Sequence, residues 1–122
     1  MVQETPTWIW RGEAKDQWVG PTTEVAIKLE LLQHAGSFKP RGALCAMLEM
    51  NEQELQKGVT AISAGNHAIA VSYAAKVLNT HAKVVMPANA PQARVEKCRS
   101  LGTEIVLVED VTEGFRVVEE IE

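Results

Sequence analysis

From Gly58 onward the chain alternates short apolar runs with helical segments, and this rhythm restricts the fold more than any other feature of the sequence. V-T-A-I-S (Val59 to Ser63), A-K-V-V-M (Ala82 to Met86) and E-I-V-L-V (Glu104 to Val108) read as strands. Between them, Asn66 to Leu78 reads as a helix, as does a segment opened by Pro91 and ending before Gly102. A last helix, Thr112 to Ile121, is expected to turn Phe115, Val118 and Ile121 inward. Strands joined through helices by connections this short imply crossovers, and therefore an α/β fold: a parallel sheet with flanking helices in the order βαβαβα. The Asn66 helix is apolar nearly all round and is expected to be deeply buried.

Upstream, Glu24 to Glu30 partly alternates and reads as a strand, followed by a loop from Gln33 to Pro40. Pro40 suits a first helical turn, and Leu44, Met47 and Leu48 recur at helical spacing, so a helix is predicted from Arg41 to Glu49. Asn51 with Glu54 forms a capping pattern for a short helix, Glu52 to Lys57, which Gly58 stops. The first 23 residues are poorly periodic and hold all three tryptophans, Trp8, Trp10 and Trp18. They read as an N-terminal arm that packs its aromatics onto the domain or another chain, ahead of an α/β domain over residues 24–122.

A chain of 122 residues holds about one domain. Its 12 basic and 16 acidic residues leave a net charge of -4, which argues against nucleic acid as a partner. No basic leader precedes a long apolar stretch, and no apolar run is long enough to span a bilayer. A soluble, cytoplasmic protein with no membrane partner is expected. Cys45 and Cys98 lack metal-ligand spacing and a nearby histidine, so no metal is expected and both read as buried small hydrophobes.

Two loops carry chemistry, because a strand-to-helix junction in a parallel sheet lies at the carboxyl edge, where ligands bind. S-A-G-N-H (Ser63 to His67) offers a hydroxyl, a glycine, an amide and a helix start whose N–H groups suit a carboxylate or phosphate. An ordinary helix cap made by Asn66 accounts for the same residues equally well. The second loop, G-S-F-K-P-R-G-A (Gly36 to Ala43), puts Lys39 where helix starts usually favour acids. The field there and partial burial both favour a neutral amine, the nucleophile that Schiff-base chemistry requires. A surface lysine with its charge in water is the competing explanation.

Taken together, G-S-F-K-P-R-G-A and S-A-G-N-H-A closely resemble the N-terminal half of fold type II pyridoxal-phosphate enzymes, most nearly threonine and serine dehydratases. K-L-E (Lys28 to Glu30), L-Q-H-A-G-S-F-K, M-P-A-N-A-P (Met86 to Pro91) and L-G-T-E-I-V-L (Leu101 to Leu107) extend the similarity along the chain from about Pro21. The resemblance implies that Lys39 is the catalytic lysine, forming a Schiff base with pyridoxal 5'-phosphate and later moving protons at the substrate Cα. It implies that Phe38 packs against one face of the pyridine ring and that Asn66 hydrogen-bonds the cofactor's phenolic oxygen. Ser63, Ala64, Gly65, Asn66 and His67 then form the loop that holds the carboxylate of a small amino acid substrate. His67 reads equally well as a satisfied structural histidine.

Departures from the family pattern sharpen the expectation. Racemases of the family carry a second serine where this chain has Ala64, which favours loss of water over racemisation. Ile69 and Ala70 stand where the family often has glutamine and glycine. The eight glycines form no cluster that would cradle the cofactor phosphate, and family members are much longer chains. Two expectations follow: the N-terminal portion of a threonine or serine dehydratase, inactive alone, or a stand-alone α/β binding or assembly module without catalysis. Homo-oligomerisation or self-association through exposed apolar surface is expected with the second.

Overall fold

The structure, a computed structural model, describes residues 1–121. The elements run β1 (Thr7–Trp10), α1 (Glu13–Val19), β2 (Val25–Lys28), α2 (Lys39–Leu48), α3 (Glu52–Lys57), β3 (Val59–Ile62), α4 (Asn66–Val77), β4 (Ala82–Pro87), α5 (Gln92–Ser100), β5 (Glu104–Val108) and α6 (Val111–Ile121). Short 3-10 turns at Glu30–Leu32 and His34–Gly36 fill the loop before α2.

The parallel sheet that the alternation implies is present, with strand order β3-β4-β5. Its register pairs Val59 with Ala82 and Ile62 with Val85, then Lys83 with Glu104 and Pro87 with Val108. The Lys83–Glu104 neighbours also form an ion pair at 3.3 Å. Val84, Val85 and Met86 of the central strand are wholly buried, as a strand covered on both faces requires. Val84 and Met86 join Ala68, Ala74 and Ala75 of α4 and Val95 and Cys98 of α5 in one core. The pleat turns Val85 to the other face, the side on which α6 lies close to Ile62 and Val108.

β1 and β2 make a separate antiparallel pair, with Trp8 opposite Ile27. The arm is thus more ordered than its weak periodicity suggests, but its tryptophans do not all pack inward. Trp18 is 82% exposed on α1 and Trp8 is 52% exposed on β1, so these two rings do not pack onto the domain, which leaves the other half of the expectation, packing onto another chain.

α2 packs against α4. Ala43, Leu44 and Met47 from α2 share a buried cluster with Ala68, Val71 and Ala75 from α4. That seam explains a correction: Pro40, Ala43, Leu44 and Met47 form the buried stripe, and Cys45 falls outside it and is exposed, whereas Cys98 is buried as expected. The Asn66 helix is deeply buried, as its composition implies.

α6 supplies a second correction. Gly114, not Phe115, faces the sheet, where an added Cβ would come within 2.5 Å of Ile62 Cδ1. A residue step of about 100° then carries Phe115 outward, leaving it exposed, with Val118 and Ile121 half-buried. Among the described residues no helix is long and apolar enough to cross a membrane.

Candidate active site

Lys39 is the first residue of α2, followed by Pro40 in the first turn, where a missing N–H costs nothing. No acidic residue occupies that turn. The Lys39 side chain is exposed, correcting the expectation of partial burial, because Pro40 rather than Lys39 points into the core. Its Nζ lies 5.3 Å from the centroid of the Phe38 ring. Phe38 is itself 60% exposed, leaving an aromatic face and an amine side by side at the surface.

That surface is concave. Phe38, Lys39, Ala43, Met47, Val71 and His67 all line one cavity of about 460 Å³. Lys39 and His67, 28 positions apart, therefore share one site because α2 lies along α4. Ser63, Ala64, Gly65 and Asn66 lie outside that lining, on the loop that leads into His67. A larger cavity of about 740 Å³ opens at the amino edge of the sheet, among Lys57, His81, Lys83 and Glu104. It contains no residue of the Gly36 to Ala43 or Ser63 to His67 loops, and in a parallel sheet the carboxyl edge carries the ligand.

The loop is built around its glycine. Ser63 N–H donates to Val85 O (3.0 Å), prolonging the parallel ladder, and Gly65 N–H donates to Ser63 Oγ (3.1 Å). Gly65 occupies the capping position of α4 with no side-chain cap, and Asn66 is the first helical residue. Asn66 therefore does not cap the helix, although the Ser63–Gly65 hydrogen bond is the ordinary turn that a Ser-Gly pair makes. The first-turn N–H groups of α4 keep their donor capacity, and no carboxylate in that turn opposes an incoming anion.

Arg94 of α5 completes the arrangement, and nothing in its local sequence announces it. Its Nη1 donates to Ala64 O at 3.3 Å, setting a half-buried guanidinium against the loop. Its contact lies 30 residues away, so no short-range spacing could have found it.

A second unheralded contact steadies the loop before Lys39. The His34 and Tyr73 rings stack with centroids 4.8 Å apart at 21°, and Tyr73 Oη donates to Met1 O (2.6 Å). Burial pushes the Tyr73 phenol above its usual range. Ala35 and Gly36 then take positive φ angles of 65° and 68°, turning the chain sharply into Ser37. Ser37 Oγ is buried with no hydrogen-bond partner among the described residues.

These features suit an aldehyde cofactor with an anionic substrate: an amine beside an aromatic face, a cavity shared by that amine and His67, and uncapped N–H donors at a helix start. Comparisons with known proteins agree. The model of the family described as "Pyridoxal-phosphate dependent enzyme" matches residues 2–122. A phenylserine dehydratase from Ralstonia pickettii is 49% identical over 102 residues, covering 84% of this chain and 31% of the relative. The solved structure of maize serine racemase superposes with a TM-score of 0.85 at 33% identity, covering 98% of this chain and 36% of that one. Threonine deaminase isoform 2 from Solanum lycopersicum gives 0.82 at 35% identity, covering 98% and 33%. The chain thus spans about a third of the length of these relatives. It belongs to the pyridoxal-phosphate dependent enzyme family, with the fold of the fold type II members.

Proposed function

We propose that this chain is the lysine-bearing portion of a dehydratase that converts a β-hydroxy-α-amino acid of the serine or threonine type into a 2-oxoacid and ammonia. Water leaves as the Cα proton and the β-hydroxyl, and water returns when the resulting enamine hydrolyses, so the net change is deamination. Pyridoxal phosphate, when bound, supplies an aldehyde for condensation with an amine and a ring that draws electron density from the substrate Cα.

The chain's own residues do the rest. Lys39 Nζ would hold the cofactor covalently and, once released from it, would accept the Cα proton that departs with the β-hydroxyl as water. The exposed ring of Phe38 would support one face of the cofactor, and the Asn66 carboxamide would hold its phenolic oxygen. Ser63, Ala64, Gly65 and His67, together with the uncapped N–H groups of α4, hold the substrate carboxylate and keep Cα in reach of the amine. Ala64 has no hydroxyl with which to exchange a proton on the opposite face, which favours water loss even though relatives of both kinds are similar to the chain.

The observation that carries this reading is the single cavity lined by both Lys39 and His67. Its test is incubation of the chain with pyridoxal 5'-phosphate, borohydride reduction and peptide mass analysis. One pyridoxyl group per chain, on Lys39, is the expected result. Modification scattered over several lysines removes the reading and favours a binding or assembly module, for which the exposed Trp18, Leu31 and Phe38 offer apolar surface.

A further inference from the structure

Lys39 does not hold itself in place. Among the described residues its amine makes no hydrogen bond, and its only side-chain partner is the neighbouring Phe38 ring. Its position is inherited from the first turn of α2, which two neighbours secure. Pro40 is fully buried, and the Arg41 N–H donates to Phe38 O (3.1 Å), closing the turn around Lys39.

The Arg41 side chain then reaches back across the loop. Nε donates to Glu30 Oε2 (2.9 Å) and Nη2 to Glu30 Oε1 (2.8 Å), a two-pronged pair. Thr5 Oγ1 donates to the same Oε1 (2.5 Å), and Arg41 Nη2 also donates to Gln3 O (3.1 Å). The buried Gln33 amide clasps the Gln3 backbone from the other side, accepting from its N–H (2.9 Å) and donating to its carbonyl (2.8 Å). The arm, the loop and the start of α2 thus meet at the Glu30 carboxylate, whose partner Arg41 lies two residues beyond the reactive lysine.

We infer that Glu30 and Arg41 are positioning residues for Lys39: their fork sets where the first turn of α2 presents the amine to the cavity shared with His67. The inference rests on the dehydratase reading for the role of Lys39. A planar guanidinium fixes both distance and rotation, which a lysine ammonium at the same place does not. This separates positioning from mere charge neutralisation.

The test compares pyridoxyl labelling of Lys39 with that of the exposed Lys57 in the unmodified chain and in Arg41→Lys, Arg41→Gln and Thr5→Val, with far-UV circular dichroism confirming the fold. The Lys39-to-Lys57 ratio is expected to fall about fivefold or more in both Arg41 variants and about twofold in Thr5→Val, since small displacements of a reacting group cost large factors in rate. A purely structural pair would lower the thermal midpoint and leave this ratio alone. An unchanged ratio in Thr5→Val and in whichever Arg41 variants stay folded overturns the positioning role while the dehydratase reading stands. No preference for Lys39 in the unmodified chain overturns both.

Discussion

Arg94 and Gly65 are matched in size: the guanidinium bonded to Ala64 O lies 3.1 Å from where a Cβ on residue 65 would sit. Gly65 has an extended backbone that any residue can adopt, so its requirement here is space rather than conformation.

Gly65→Ala and Arg94→Ala should therefore be coupled. Each alone loses the same contact, so the double variant is expected to be more stable than the sum of the single losses predicts, by about 0.5–1 kcal/mol. Urea denaturation of the four proteins measures this. Additivity within about 0.3 kcal/mol would show that Arg94 does not rest on the loop.

The Glu30 carboxylate provides a pH signature. The hydrogen bond from Arg41, then that from Thr5, lowers its pKa from 4.5 to about 2. The same contact raises the pKa of Arg41, which keeps its charge throughout. A folded-state pKa below the unfolded one stabilises fully above the unfolded value and is lost as pH falls through the folded one. The gap in thermal midpoint between the unmodified chain and Glu30→Gln should thus be widest above pH 4.5 and shrink toward pH 2. A gap that does not change with pH would refute the pairing.

Ser37 gives a prediction of opposite sign. Burying a hydroxyl without a partner costs about 1–3 kcal/mol, so Ser37→Ala should stabilise the isolated chain, by about 1 kcal/mol. Equilibrium unfolding in urea decides it. A clear loss of stability would mean that the hydroxyl already has a partner.

How legible the fold was depended on how local its causes are. α3 has the boundaries its sequence suggests because Asn51 and Glu54 cap each other reciprocally and Gly58 ends the helix at φ 91°. α2 begins at Lys39, two residues before the expected Arg41, because Pro40 can occupy a first turn as well as precede one. The rotation of α6 was not readable: Phe115, Val118 and Ile121 form a plausible inward stripe, and only the close approach at Gly114 turns it. At the site, the two motifs could be found from residue types. The fork between Glu30 and Arg41 and the reach of Arg94 to Ala64 could not, since both depend on where distant segments come to lie.

The α2–α4 seam has a consequence for how such a site can change. Ala43 and Ala68 belong to the buried seam between Lys39 and the turn that begins α4. One added methylene on either would push Lys39 and that turn apart while leaving both intact. The spacing within such a cavity can therefore drift through packing alone, by recalibrating a gap rather than by exchanging the side chains that line it.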